Sequence, residues 1–254
     1  VDIGVIVAAW GRPDAYRAHL KALGKAASGL TLEYSVGTTT EDWQSKRAAV
    51  ARYGDWATVA RVVPVTTDRA WPLPLVYNAA LTATTSDVVL VVGSDVLVSP
   101  GVLADAATVP EGRARLYTTH DADGREFVGP GRRVALPYCM AIRKKHLTDI
   151  SGWDEAFADG ICYDDNDFAA RLLISGVRFE WCDAFRCVHQ THKRYHGAHQ
   201  REHRELNKII WHGKLGGYHG PLWPAANEPE PADAMAAQDT LSEVLRAYGY
   251  GHIC

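Results

Sequence analysis

Five cysteines, two methionines and the lack of any long uninterrupted apolar run set the first limits on this 254-residue chain. An odd and sparse cysteine count gives no disulfide framework. The longest apolar stretch, Asp87–Leu97, carries two aspartates and falls short of the roughly 20 residues that cross a bilayer. Neither sign of charge dominates. The 27 basic and 30 acidic residues leave a formal charge of −3, which argues against a globally basic nucleic-acid binder. No internal repeat and no collagen-like period are present. With 47% hydrophobic and 22% charged residues, the usage is that of a globular protein able to bury a core. No basic leader precedes the first strand-like run, so the expected compartment is the cytoplasm.

What is present is an alternation. Ile3–Ala9 is an apolar run suited to a strand buried on both faces. Gly11-Arg12-Pro13 breaks it, and Pro13 suits the first turn of a helix running to Gly24. Leu32–Val36 and Ala57–Val65 read as strands, with a helix over Glu41–Tyr53 between them. Thr40 stands at the N-cap of that helix. Leu75–Thr84 reads as a helix and Val88–Val92 as a strand ending at Gly93-Ser94-Asp95. This order predicts an α/β fold, a Rossmann-like and mostly parallel sheet with helices on both faces. Ligands in such folds sit at the carboxyl ends of strands, here Ala8–Arg12 and Gly93–Asp95. Beyond residue 100 the pattern loosens. Strands are expected at Arg113–Thr119, Val134–Ile142 and Val177–Val188, with helices at Lys144–Ile150 and Asp164–Ser175. Ser151–Tyr163 reads as a loop. Pro221–Ala234 reads as an arm and Asp239–Tyr248 as a terminal helix. The expected division is a domain of residues 1–215, with a ligand-binding half over 1–100 and a second half over 101–215. Residues 216–254 would form a C-terminal extension.

Three groups carry candidate chemistry. Asp95 at a strand end is placed to ligate a hard divalent cation or to cap a turn. Asp164, Asp165 and Asp167 crowd three carboxylates into four positions, more than helix capping needs. The helix N-terminus lowers an aspartate's pKa and the crowding raises it. His189 and His192 are candidate metal or phosphate ligands. With Cys182 and Cys187 they form a C-x4-C-x-H-x2-H spacing that a zinc site would use, although the segment reads as a strand with filler thiols. Seven of the eleven histidines fall between His189 and His219. Lys193, Arg194, Arg201, Arg204, Lys208 and Lys214, against Glu202 and Glu205, make this stretch either a solvated helix face or a phosphate-facing flap.

In this order the pieces resemble the inverting, nucleotide-sugar-dependent glycosyltransferases of family 2, which have the GT-A fold. Ile3–Ala9 with Trp10 and Gly11-Arg12-Pro13 is similar to the family's opening strand and N-R-P turn. Tyr77-Asn78-Ala79-Ala80-Leu81 is similar to its R-N-x-G-L helix, and Val88–Asp95 to its D-x-D strand. Gly152-Trp153-Asp154-Glu155-Ala156-Phe157, followed by Asp164-Asp165-Asn166-Asp167-Phe168, Arg171-Leu172 and Gly176, is similar to G-x-F-D-E-x-F…E-D-x-D-x-x-x-R-x-x-x-x-G. The resemblance covers about residues 1–192.

The resemblance implies a hexosyl transfer that uses Asp165 as general base, with Asp164 as the alternative. Asp95, His189 and His192 would hold Mn²⁺ or Mg²⁺. Ala9, Trp10, Arg12, Thr38, Asn78, Ser94 and Asp95 would hold the nucleotide sugar, a UDP-sugar first. The chain departs from the pattern at Gly93, which replaces the first Asp of D-x-D, and at Val36-Gly37-Thr38-Thr39, where the family places base-contacting acids. Asn207–Gly217 resembles the K-W-G-G tails of some phage and bacterial glycosyltransferases. The acceptor implied is a glycan, a protein or a modified DNA base, including phosphate-bearing glycans and hydroxymethylated bases. A catalytically silent GT-A domain and a nucleotidyltransferase are the competing classes. The latter wants a Gly-rich loop that Ala8–Arg12 lacks.

Overall fold

Strand period decides which of two cores each apolar residue enters. The computed structural model describes residues 2–27, 29–129, 136–192 and 200–218. In β1 (Ile3–Ala8), Ile3, Val5 and Val7 enter one core while Ile6 and Ala8 enter the other. β4 (Val88–Gly93) divides in the same way, with Val88, Leu90 and Val92 on one side and Val89 and Val91 on the other. Such strands have no solvent face, which is why their sequences are unbroken apolar runs rather than alternating ones. Helices cover both sides. α1 (Pro13–Ala26), α2 (Thr40–Tyr53) and α4 (Val102–Ala106) pack on the first core. α3 (Leu73–Ala83), α5 (Lys144–Asp149), α6 (Asp164–Ile174) and α7 (Gln200–Tyr218) pack on the second.

Among the described residues the sheet has nine strands. β3 (Val59–Val65), β2 (Leu32–Thr39), β1 and β4 run parallel in that order. Beyond β4 come β8 (Cys139–Arg143), β6 (Arg113–Asp121), β9 (Arg178–His189) and β5 (Val96–Leu97). β8 is antiparallel to both neighbours, β6 and β9 are parallel, and β5 is antiparallel to β9. β7 (Glu126–Val128) pairs with β6. Only Ser94 and Asp95 separate β4 from β5, yet β5 pairs at the far end of the strand order. The sheet therefore curls, and Ser94-Asp95 lies where the curl closes. The mixed α/β architecture expected from the alternation is the one observed.

The second half differs in detail from the expectation. The strand expected from Val134 begins at Cys139, because Pro137 and Tyr138 belong to the preceding loop; residues 130–135 lie outside the described ones. The expected loop Ser151–Tyr163 holds a 3₁₀ turn, Glu155–Asp159, whose Asp154 cap accepts a bond from the Ala156 N–H. The basic stretch is largely α7, and it works as a buttress. Its buried Asn207 donates to the carbonyls of Phe157 (3.0 Å) and Cys162 (2.8 Å), Trp211 enters the core, and Lys214 turns inward to Asp154 and Asp167. Lys214 is thus committed to the fold rather than to a phosphate. Lys193 and Arg194, the arm Pro221–Ala234 and the helix Asp239–Tyr248 lie outside the described residues, and α7 runs across the boundary expected at residue 215.

Close backbone contact explains one departure of the sequence from its resemblance. Gly37 lets the end of β2 lie against α3, where a Cβ would overlap the Val76 carbonyl group. A backbone obstacle cannot swing away as a side chain does. Gly37→Ala is expected to cost about 3 kcal/mol, the upper part of the overpacking range, read as a lowered denaturation midpoint at unchanged m value.

Candidate active site

A cavity of about 360 Å³ opens at the carboxyl ends of β1 and β4. It gathers Trp10 and Arg12 from the loop after β1, Ser94 and Asp95 from the seam of the sheet, Asp164 and Asp165 from the start of α6, and His189 and His192 from the end of β9. Side chains about 180 residues apart in sequence thus face one space.

Asp95 is the hub of one group. It is buried, and its Oδ2 lies 3.1 Å from His192 Nε2 and 3.6 Å from His189 Nε2, with the Arg12 guanidinium against it. The two imidazole Nε2 atoms are 3.3 Å apart. Candidate ligand atoms of Asp95, His189 and His192 all fall within 4.8 Å of one another, and these three form the only such group among the described residues. Register builds this arrangement. His189 pairs with Val96 across β9–β5, and the Gln190 N–H donates to the Asp95 carbonyl at 2.9 Å. Burial alone would raise the Asp95 carboxyl. The His189 and His192 imidazoles and the Arg12 charge outweigh it and hold the group well below the usual carboxylate range. A side chain at Gly93 would press on Asp95, since its Cβ would sit 3.0 Å from Oδ1. The missing first acid of the motif is therefore accompanied by a tight fit at that position.

Asp164 and Asp165 form the second group, and here the balance tips the other way. Burial raises Asp164 first, and the Asp167 charge adds to it, against the backbone N–H groups of the helix start and the Trp71 indole. Burial and the Asp164 charge hold Asp165 well above its usual value. Crowding and burial thus outweigh the helix dipole, a balance the sequence left open. Asp167 acts on the pair only through its charge and does not line the cavity. It is fully buried and paired with Arg171 at 2.7 Å and with Lys214 at 2.7 Å. An aromatic stack supports the pair from below: Tyr77 on Trp153 at 4.4 Å, and Trp153 on Phe168 of α6 at 4.0 Å.

The other expected binding residues divide. Trp10, Arg12 and Ser94 line the cavity, and Trp10 meets Trp71 edge to face at 5.5 Å. Ala9 and Thr38 are fully buried and do not line it. Asn78 is spent on structure: its amide donates to the Trp153 carbonyl and accepts from the Trp153 N–H, both at 2.8 Å, pinning the turn at Gly152. Gly152 has a φ of 67°, and a Cβ there would strike the Asn78 side chain. The C-x4-C-x-H-x2-H zinc reading does not survive, because Cys187 is buried against Cys139 (Sγ–Sγ 3.7 Å) and Cys182 lies beside Asp105.

Among the residues at the site that the sequence pattern does not single out are Trp71 and Asp121. Trp71 follows a strand within a loop of no pattern. It reaches the cavity because its N–H donates to the Ala158 carbonyl at 2.8 Å and Arg69 pairs with Asp159. Asp121, at the end of β6, lies opposite His189 in the parallel ladder and contacts its Nδ1 at 3.1 Å. Its one signal was a carboxylate closing a strand.

The acid pair holds its protons more tightly in the folded chain than in the unfolded one. Its contribution to stability is therefore full below the ordinary carboxylate pKa and is lost as pH rises through the raised folded values. Asp164→Asn is expected to lower the Asp165 titration midpoint, followed by carboxyl ¹³C NMR, and to raise the thermal midpoint at neutral pH.

No family model and no curated protein matches the sequence. Solved structures match the fold. S. aureus TarS matches with a TM-score of 0.66 at 17% identity, over 98% of this chain and 43% of that one. TarS residues 1–349 in complex with UDP-GlcNAc gives 0.65 at 16%, over 98% and 72%. The mannosyltransferase PcManGT from Pyrobaculum calidifontis, in complex with GDP-Man and Mn²⁺, gives 0.57 at 17%, over 97% and 85%. The chain spans less than half of the TarS chain in the first of these. At such identities the likeness establishes the fold: this chain has the GT-A architecture of these glycosyltransferases.

Proposed function

We propose that the chain is an inverting, metal-assisted glycosyltransferase that moves a hexosyl group from a nucleotide sugar, a UDP-sugar first, to an acceptor hydroxyl. The observation that carries this reading is the single cavity in which the Asp164–Asp165 pair and the Asp95–His189–His192 group meet. Two of the structural neighbours were solved with UDP-GlcNAc or with GDP-Man and Mn²⁺, which supports the reading.

The residues fit a divalent cation. Asp121 occupies Nδ1 of His189, so a neutral ring turns its Nε2 lone pair toward Asp95 and His192. One carboxylate and two imidazoles suit Mn²⁺ better than Mg²⁺, which prefers oxygen ligands. Asp95, His189 and His192 would hold the ion, which supplies charge neutralisation for the departing diphosphate. Arg12 stands beside Asp95, and its guanidinium matches diphosphate oxygens.

An inverting transfer is one in-line displacement at the anomeric carbon. It needs a base on the acceptor side and positive charge on the leaving-group side. Asp165 is the more exposed of the acid pair, and its raised affinity for a proton makes it a stronger base than an ordinary carboxylate. It takes the hydroxyl proton as the new C–O bond forms. Buried Asp164 keeps that affinity high through its charge.

A panel of nucleotide sugars, assayed for slow hydrolysis with and without Mn²⁺, tests the reading without knowledge of the acceptor. Asp165→Asn is expected to lower kcat by about 10²- to 10⁴-fold with the donor Kd within about twofold of wild type. Full turnover in that variant rejects Asp165 as base. The base works only when deprotonated, so the acid limb of kcat/KM is expected above the ordinary carboxylate range, and lower in Asp164→Asn. A catalytically silent domain, the reading that Gly93 in place of an acid favours, gives donor binding with no turnover at any pH.

A further inference from the structure

We infer that the β6–β7 hairpin is the orienting device of the Asp95–His189–His192 group, with Asp121 as a positioning residue that sets the tautomer of His189. The inference rests on the proposed metal site and adds a residue and a surface outside its three ligands.

Three observations converge on the His189 ring. Its Nδ1 lies 3.1 Å from Asp121 Oδ1. Phe127 of β7 stacks on its face at 4.2 Å with the planes 5° apart, and Tyr138 meets it edge-on at 6.3 Å. The backbone beneath it is held in two ladders, to Asp121 of β6 on one side and to Val96 of β5 on the other. A carboxylate has no proton to give, so the hydrogen in the Asp121–His189 contact sits on Nδ1. A neutral imidazole carries only one, and Nε2 is left as a lone pair. That lone pair faces the space shared with Asp95 and His192. A partner on the far nitrogen both aims a ligating histidine and makes it more basic. No other hydrogen-bond contact of the Asp121 side chain is found among the described residues, so the group is not spent on the fold, unlike Asp167. Phe127 fixes the plane of the ring, and Asp121 fixes which edge carries the proton. The hairpin thereby replaces, in orientation, part of what the motif loses at Gly93.

The test uses Mn²⁺ alone, titrated into the full chain by calorimetry without donor, beside ¹⁵N NMR of the histidine rings. Wild type is expected to bind one Mn²⁺ and, at a pH where the ring is neutral, to show metal-free His189 protonated at Nδ1 and bare at Nε2. Asp121→Ala is expected to weaken Mn²⁺ binding by about 10- to 100-fold and to lose that tautomer. Its metal-free thermal midpoint should stay within a few degrees of wild type, which a purely structural role would not allow. Asp121→Asn keeps the shape without the charge and should fall between the two; it replaces the alanine variant should that one fail to fold. Mn²⁺ affinity within twofold of wild type in the substituted chain overturns the role of Asp121 and leaves the metal site standing. No Mn²⁺ binding by wild type overturns the metal site itself, and this inference with it.

Discussion

The closure of the sheet at β5 and β9 is the constraint on which the site depends. Asp95 sits in the two-residue link between β4 and β5, and that link must reach from the middle of the sheet to its far end. It can do so only because the sheet curls. The same closure sets Val96 opposite His189, and the β6–β9 ladder sets His189 opposite Asp121. Two ladder registers therefore place a carboxylate, an imidazole and a second carboxylate in line. A slip of one residue would turn His189 to the other face and take its imidazole away from Asp95.

Within one cavity the two acidic groups are driven in opposite directions. Asp95 is buried among imidazoles and a guanidinium, and its charged form is favoured. Buried Asp164 and half-buried Asp165 lie beside each other, and their charged forms are opposed. The difference lies in the partners, since burial penalises all three. Such a split marks one end of a site as a place for cations and the other as a place for protons. The third acid of the cluster shows what neutralisation does. With Arg171 and Lys214 against it, Asp167 is a structural anchor that fastens α6 to α7.

The segments around Asp164 and Asp165 have few regular elements, and cross-links give them their shape. Asn78 pins the Gly152-Trp153 turn, Asn207 and Lys214 hold the 3₁₀ turn and α6, and Arg69 and Trp71 tie the loop after β3 to the same 3₁₀ turn. Polar side chains that a motif match would assign to a ligand are here used to hold backbone carbonyls. That explains why Asn78, which the resemblance assigns to the donor, lies outside the cavity while Trp71, from no motif at all, lies within it.

Local order decided much of this molecule. The apolar runs of β1 and β4, the breaks at Gly11-Arg12-Pro13 and Gly93-Ser94-Asp95, and the acidic start of α6 are legible in the chain, because burial on two faces and helix initiation act over a few residues. Asp95, Asp164, Asp165, His189 and His192 stand out in the local pattern as candidates, and the fold brings all five to one cavity. The pairing of β5 with β9, the partnership of Asp121 with His189 and the inward turn of Lys214 were not. Each depends on segments dozens of residues apart meeting in one register, and no local pattern encodes that meeting. Sequence alone also left undecided whether crowding or the helix dipole governs the acid pair. Tertiary burial penalised the charged form of both carboxylates, and together with the crowding it outweighed the helix start.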